Sequence, residues 1–129
     1  MRAAITLCLA ILGIIVLLYA IAPRIGGESH ARPTAAQADI YGGIKSALDQ
    51  YKVDNGHYPG SLQDLVQKTS DTTNWHGPYF DPPRLPIDPW GKVYIYTYPG
   101  RHNTNAYDLV SAGPDGRLGT EDDIGNWTK

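Results

Sequence analysis

The chain begins with an uninterrupted apolar run, and this run constrains the fold more than any other feature of the sequence. From Ala3 to Ala22 no residue is charged, and only Thr6, Cys8 and Tyr19 carry a polar atom in the side chain. An α-helix needs about 20 apolar residues to cross the hydrocarbon core of a bilayer. The run supplies that length and therefore predicts a transmembrane helix at the N-terminus.

The residues around the run fit the same interpretation. Arg2 and Arg24 bracket it, where long cationic side chains reach lipid head groups, and Pro23 would end or kink a helix. A cleaved secretory signal is the alternative, and Ser29-His30-Ala31 resembles a cleavage site. The apolar region of such a signal normally has only about 7–15 residues. Length therefore favours a retained, single-pass membrane helix over residues 1–23.

Composition restricts the function of the rest of the chain. The 11 Lys and Arg residues are outnumbered by 13 Asp and Glu residues, so the net charge of −2 provides no basic surface and predicts no nucleic-acid partner. The only cysteine, Cys8, excludes an internal disulfide framework. Residues 24–33 contain two adjacent glycines and predict a hinge. Residues 34–129 then suffice for one small α+β head.

Apolar residues recur every three or four positions early in this head, which predicts an amphipathic helix. The apolar stripe consists of Ile40, Ile44, Ala47, Leu48 and Tyr51. Asn55-Gly56 predicts the end of the helix, because both residues tolerate the left-handed backbone found there. Ser61, followed three residues later by Asp64, forms a capping box and predicts a short second helix.

Two segments further along predict an antiparallel pair of strands. Val93–Tyr98 is rich in β-branched and aromatic residues, and Ala106–Val110 returns after a Pro-Gly turn. Tyr94, Tyr96 and Tyr98 lie on one face of the first strand. A stripe of this kind is typical of a strand face that covers the core, although tyrosines also favour subunit contacts. The head is thus predicted to be a helix packed on a small antiparallel sheet.

The C-terminal segment, residues 111–127, is acidic and rich in glycine. It sets four carboxylates against one cation: Asp115, Glu121, Asp122 and Asp123 against Arg117. With so few apolar residues it predicts a loop rather than a helix or strand. Hard divalent cations such as calcium take six to eight oxygen ligands from carboxylates and backbone carbonyls. The residues alone leave two interpretations open, a solvated acidic turn and a calcium site.

No combination of residues identifies a catalytic site. Asp88 and Asp108 could be a pair of acids for glycoside hydrolysis, but nothing in the sequence predicts the separation of about 5–10 Å that this reaction needs. Nucleophile elbows, phosphate loops and zinc-protease motifs are absent from the sequence. We therefore expect a protein that is not an enzyme and has no small-molecule substrate.

Four sequence blocks follow one another over residues 40–127 and carry a resemblance to a known family. They are Leu48–Pro59, Trp75–Tyr79, Leu85–Gly91 and Tyr107–Trp127. In this order they resemble the major pseudopilins (G type) of bacterial type II secretion systems. The Asp-Pro-Trp-Gly sequence and the Gly-Pro-Asp-Gly to Asp-Asp-Ile-Gly-Asn-Trp ending are the specific parts, whereas the first block is shared among pilin-like proteins.

The resemblance implies a fold, a location and partners. Such proteins have a long N-terminal helix, half of it in the inner membrane, and a periplasmic α/β head. They assemble with identical or related subunits into a filament that drives protein secretion across the outer membrane. The C-terminal loop of the family binds one calcium ion. Transferred to this chain, its ligands are the carboxylates of Asp115, Asp122 and Asp123 and the backbone carbonyls of Ala112 and Arg117.

The N-terminus departs from the family pattern. Members carry a Gly-Phe-Thr-Leu-Ile-Glu sequence that is cut after the glycine, and here Thr6-Leu7 matches while the Gly-Phe pair is missing. Leu9 stands in place of the glutamate that pairs with a neighbouring subunit's amino group. Two hypotheses follow. The chain is either a subunit of a secretion filament with a calcium-stabilised head, or a membrane-anchored, calcium-dependent adaptor whose pilin-like head does not polymerise.

Overall fold

The computed structural model describes residues 28–69 and 72–127. The predicted membrane segment, Ala3 to Ala22, lies outside these ranges. Among the residues described, no helix combines the length and the apolar character needed to cross a bilayer. The described residues comprise the head and the helical segment that precedes it.

Three helical segments follow one another without a break. Helix α1 spans Glu28–Ala38, a π-helical turn spans Asp39–Gly43, and helix α2 spans Ile44–Asn55. Residues 28–33, which the sequence assigns to a hinge, are helical in the structure. Helix α2 ends where the sequence predicts, at Asn55, because Gly56 adopts the left-handed conformation with φ at +83°.

The π-helical turn coincides with the glycine pair of the helix. The N–H of Ile44 bonds to the carbonyl of Asp39, five residues earlier, which defines the widened turn. Gly42 and Gly43 have low helix propensity, and a Cβ on either would meet nothing within 4 Å. The wider turn is therefore accommodated on the solvent side, while Ile40 and Ile44 both remain buried.

The core lies between this helix and the sheet. From the helical segments it contains the five residues of the predicted stripe: Ile40, Ile44, Ala47, Leu48 and Tyr51. From the rest of the head it contains Leu65, Tyr94, Tyr107 and Leu109. Each large apolar side chain buried in this way contributes about 1.5–3 kcal/mol. The prediction of an amphipathic helix with this apolar face is confirmed.

The sheet has three antiparallel strands in the order β1-β2-β3. Strand β1 spans Ile95–Thr97, β2 spans Asp108–Ser111 and β3 spans Ile124–Gly125. The first two occupy the predicted segments, although β1 is shorter than expected and β2 is shifted toward the C-terminus. The third strand corrects the expectation that the C-terminal segment contains no strand. It pairs with β2 through Ser111 and Ile124.

Two local predictions are also resolved by the structure. The capping box is present, with the N–H of Ser61 donating to Asp64 Oδ2 at 3.0 Å, but the helix that it starts is a 3-10 helix, Leu62–Leu65. Of the tyrosine stripe, Tyr94 is buried and Tyr96 packs against the core, whereas Tyr98 is 38% exposed. The stripe therefore covers the core, as predicted, except at its outer end.

Candidate metal loop

The acidic loop is the connection between two paired strands. It leaves β2 after Ser111 and returns to the sheet at Ile124, and these two residues are partners in the antiparallel register. An antiparallel connection of this kind places both of its ends side by side. The sheet therefore fixes the ends of the loop, and the residues between them have to fold back over a short distance.

The loop folds back tightly at Gly113. This residue has φ at +61°, and a Cβ on it would lie 2.5 Å from the backbone oxygen of Asp122 and 2.7 Å from its Oδ2. No side chain fits in that space. Two residues later the N–H of Asp115 donates to Asp122 Oδ2 at 3.1 Å. The glycine-rich start of the loop thus brings the backbone of Asp115 against the carboxylate of Asp122.

Asp123 has one satisfied and one unsatisfied oxygen. Its Oδ2 accepts the N–H of Gly119 at 2.7 Å, whereas its Oδ1 is buried and has no hydrogen-bond partner. A buried polar atom without a partner costs about 1–3 kcal/mol, and more when the group is charged. A bound cation is a group that can satisfy such an oxygen, because a carboxylate only accepts and cannot donate.

Two further oxygen acceptors of the loop, from Arg117 and Asp122, lie near the hydroxyl of Thr120. The hydroxyl of Thr120 is within hydrogen-bond distance of the carbonyl oxygen of Arg117, at 3.1 Å, and also of Asp122 Oδ1. A hydroxyl has a single proton and can donate to only one of them at a time. The carbonyl group of Arg117 and the carboxylate of Asp122 therefore bring two further oxygen acceptors close together in this loop, and calcium prefers oxygen ligands.

The predicted ligands share this loop, but their side chains do not surround one point. Asp115 directs its Oδ1 to the N–H of Arg117, at 2.7 Å, in a local turn. Within the described ranges, no group of three His, Cys, Asp or Glu side chains is arranged to hold a metal ion. The buried Asp123 Oδ1 and the oxygen-only donor set fit calcium, whereas the assignment of Asp115, Asp122, Asp123, Ala112 and Arg117 as ligands stays a prediction.

Comparison with known proteins identifies the family. Residues 24–127 match the family described as type II secretion system (T2SS), protein G. The chain belongs to this family. The type II secretion system core protein G of Escherichia coli K12 is 44% identical over 108 residues, which are 79% of this chain and 72% of the relative. That of Pseudomonas aeruginosa is 39% identical over 127 residues, 91% and 85% of the two chains.

A solved structure supports the same family assignment through the fold. The crystal structure of the major pseudopilin from the type 2 secretion system of enterohaemorrhagic E. coli matches with a TM-score of 0.66 and 36% identity. The match covers 81% of this chain and 93% of that one. The predicted pilin-like α+β fold and membership of the pseudopilins are therefore confirmed. The chain is thus a structural pseudopilin subunit of a type II secretion system.

Asp88 is a turn residue, which is the interpretation that its sequence context favours over a catalytic one. It is 3% exposed, and its carboxylate accepts the N–H of Trp90 at 3.0 Å and that of Lys92 at 2.8 Å. The hydroxyl of Ser111 donates to its other oxygen at 2.6 Å. The Asp-Pro-Trp-Gly sequence predicts a turn and so accounts for the first two bonds. The bond to Ser111 joins positions 23 residues apart, and no sequence pattern predicts it.

Asp108 organises a second turn in the same way. It is 6% exposed and accepts backbone N–H groups from Arg101, His102 and Asn103 at 2.7–2.9 Å. Burial by itself would raise the pKa of Asp108, but these bonds, led by those from His102 and Asn103, outweigh it and hold the pKa below its usual value. Asp88 and Asp108 are therefore both turn-forming residues.

Proposed function

We propose that this pseudopilin is an inner-membrane protein that contributes its head to a secretion filament. The apolar run from Ala3 to Ala22 anchors it as a single-pass helix, and the head lies in the periplasm. Its partners are identical or related pseudopilin subunits, and it works by assembly rather than by catalysis. The observation that supports this most strongly is the family match over residues 24–127, which includes the whole described head.

We infer in addition that the head binds calcium through the acidic loop. The proposed ligands are the carboxylates of Asp115, Asp122 and Asp123 with the carbonyl oxygens of Ala112 and Arg117. The buried, unpartnered Oδ1 of Asp123 supports this inference, because a cation would remove the cost of leaving it unsatisfied. When bound, calcium supplies positive charge among the carboxylates of the loop.

Binding of an ion to this loop is also a contribution to folding. Both ends of the loop belong to the sheet, through β2 and β3, so that ordering the residues between them fixes the surface at this side of the head. The free energy of metal binding then adds to the stability of the folded state. A head completed in this way offers a fixed surface to the neighbouring subunit.

The calcium proposal is tested by thermal unfolding of the full chain in detergent micelles, with calcium and with EDTA. We expect the midpoint of the unchanged chain to rise with calcium and that of Asp122→Ala not to rise. In EDTA the variant loses only the bonds of this carboxylate to the N–H of Asp115 and the hydroxyl of Thr120. Glu121→Gln is the matched control, because Glu121 is an exposed acid of the same loop outside the proposed ligand set. An equal rise in Asp122→Ala and in the unchanged chain would contradict the proposal.

A second candidate function rests on Leu9. Because Leu9 replaces the glutamate of the family pattern, the protein could instead be a membrane-anchored, calcium-dependent adaptor that does not polymerise. Chemical crosslinking in membranes separates the two functions: a ladder of homo-oligomers supports the filament subunit, and a monomer band alone supports the adaptor. Leu9→Glu is the informative variant, since a ladder that forms only with the glutamate would assign the difference to this position.

The state of the N-terminus is tested by the intact mass of the protein purified from its own membranes. The mass of the full chain would indicate an unprocessed anchor and favour the adaptor. A chain shortened within its first few residues and carrying one additional methyl group would favour the filament subunit. A cut near Ala31 would show a secreted head and would contradict both membrane functions.

A further inference from the structure

Asp88 and Asp108 are the two most buried aspartates of the described head, and both lie outside the acidic loop. Asp88 is connected to the start of the loop and Asp108 to its end. Neither belongs to the predicted ligand set. Burying two carboxylates in a small head is costly unless each is well hydrogen-bonded. Their bonds therefore show what these two residues hold in place.

Asp88 holds the start of the loop through a relay of two hydrogen bonds. The hydroxyl of Ser111 donates to Asp88 Oδ2 at 2.6 Å and accepts the N–H of Gly113 at 3.2 Å. Ser111 is fully buried, so neither bond competes with water. The relay fixes Ser111 and Gly113 and with them the peptide of Ala112, whose carbonyl is a proposed calcium ligand. It also fixes the glycine against which Asp122 packs.

Asp108 holds the end of the loop through a bridging amide. The side-chain nitrogen of Asn103 lies 3.2 Å from Asp108 Oδ1 and 3.3 Å from Asn126 Oδ1. Asn126 in turn forms hydrogen bonds with Leu109 and Tyr107 of the neighbouring strand segment. The chain is thereby fastened three residues after Asp123, the residue that carries the unpartnered oxygen.

We propose that Asp88 and Asp108 are positioning residues for calcium binding, acting through Ser111 and Asn103 on the two ends of the acidic loop. The inference rests on the proposed calcium site. Because the relays hold the loop ends in place before the ion binds, less ordering has to be completed on binding. Residues that orient metal ligands without touching the metal typically change metal affinity by about 10–100-fold when they are replaced.

The test measures the calcium dissociation constant of the full chain in detergent micelles by isothermal titration calorimetry. We expect Ser111→Ala and Asn103→Ala each to raise the dissociation constant by about 10-fold, because each removes one relay without replacing any of the proposed ligand residues. Ser111→Thr keeps the hydroxyl and should restore affinity to within about threefold of the unchanged chain. Asp88→Asn is a further variant of the first relay, since an amide keeps the shape of the carboxylate.

The matched control is Tyr79→Phe. The hydroxyl of Tyr79 donates to Asp54 Oδ2 at 2.8 Å and accepts the N–H of His76 at 3.2 Å, and neither bond involves a residue of the acidic loop. This variant should unfold at a lower temperature in EDTA and keep its calcium affinity. If Ser111→Ala and Asn103→Ala behave like Tyr79→Phe, the positioning role is wrong while the calcium site stands. If the unchanged chain does not bind calcium, the calcium site and the inference both fail.

Discussion

The indole ring of Trp127 lies flat against the imidazole ring of His102, with the ring centroids 4.1 Å apart and an angle of 3° between the planes. His102 is itself held by Asp108, whose Oδ2 lies 3.0 Å from its Nδ1. The stack therefore connects the residues after β3 to the turn that Asp108 organises. Along the described chain, it is the last contact that holds the C-terminal segment against this turn.

We expect Trp127→Ala to lower the free energy of unfolding by about 1–3 kcal/mol, because it removes a stacked aromatic pair and uncovers part of the sheet edge. Urea denaturation of the full chain, followed by circular dichroism, measures the change. Trp127→Phe is the control, since it keeps a flat ring on His102 and should lose about half as much or less. Equal losses in the two variants would show that stacking on His102 contributes nothing.

Gly113→Ala should destabilise the head strongly, because the added Cβ would meet the backbone of Asp122 at 2.5 Å in addition to the strain of φ at +61°. We expect a loss of more than about 2 kcal/mol in the free energy of unfolding. Gly119→Ala is the matched control: its φ is +88°, but nothing lies within 4 Å of the added atom. It should lose only the conformational part, about 1–2 kcal/mol. A larger loss for Gly119→Ala would contradict the packing argument.

Asp108→Asn should lower stability in a manner that depends on pH. Because the pKa of Asp108 is lower in the folded head than in the unfolded chain, its charged form stabilises the fold above the unfolded pKa of about 3.9. That contribution is lost as the pH falls through the still lower folded pKa. The difference in unfolding free energy between Asp108→Asn and the unchanged chain should thus be full at pH 7 and shrink below pH of about 4. A constant difference would be evidence against a charged Asp108.

Leu48→Ala should remove about 2–5 kcal/mol from the free energy of unfolding, because Leu48 is fully buried between α2 and the sheet. Val53, on the same helix, is 76% exposed. Val53→Ala therefore serves as the control and should stay within about 0.5 kcal/mol of the unchanged chain. Chemical denaturation of both variants provides the comparison, and similar values for the two would contradict the packing described for α2.

Local signals account for the parts of the fold that the sequence predicts correctly. The stripe from Ile40 to Tyr51, the stop at Asn55-Gly56 and the capping box at Ser61 each depend on residues within one or two helical turns. These local predictions are confirmed because tertiary packing favours the same local structure: the stripe residues, for example, all lie in the core. The π-helical turn is the exception within the helix, and it lies where the glycines weaken the α-helical preference.

The parts that the sequence does not reveal depend on contacts between distant positions. Strand β3 has two residues, too few for a pattern of alternation, and it forms because β2 supplies its pairing partners. Asn126, directly after β3, adds side-chain hydrogen bonds to Leu109 and Tyr107. The buried role of Asp88 includes a bond to Ser111, 23 residues away, that no spacing rule predicts. The acidic composition of the loop was evident from the sequence, whereas the unsatisfied oxygen of Asp123 required three-dimensional placement.

Strand β3 has a consequence for the order of events when the protein is made. A polypeptide emerges from its N-terminus, so the long helix is available early, whereas Ile124–Gly125 appears after every other element of the sheet. Until those two residues and Trp127 have been synthesised, β2 has an unpaired edge and the acidic loop is attached to the sheet at one end only. The newly made head therefore stays incomplete until synthesis has delivered this strand.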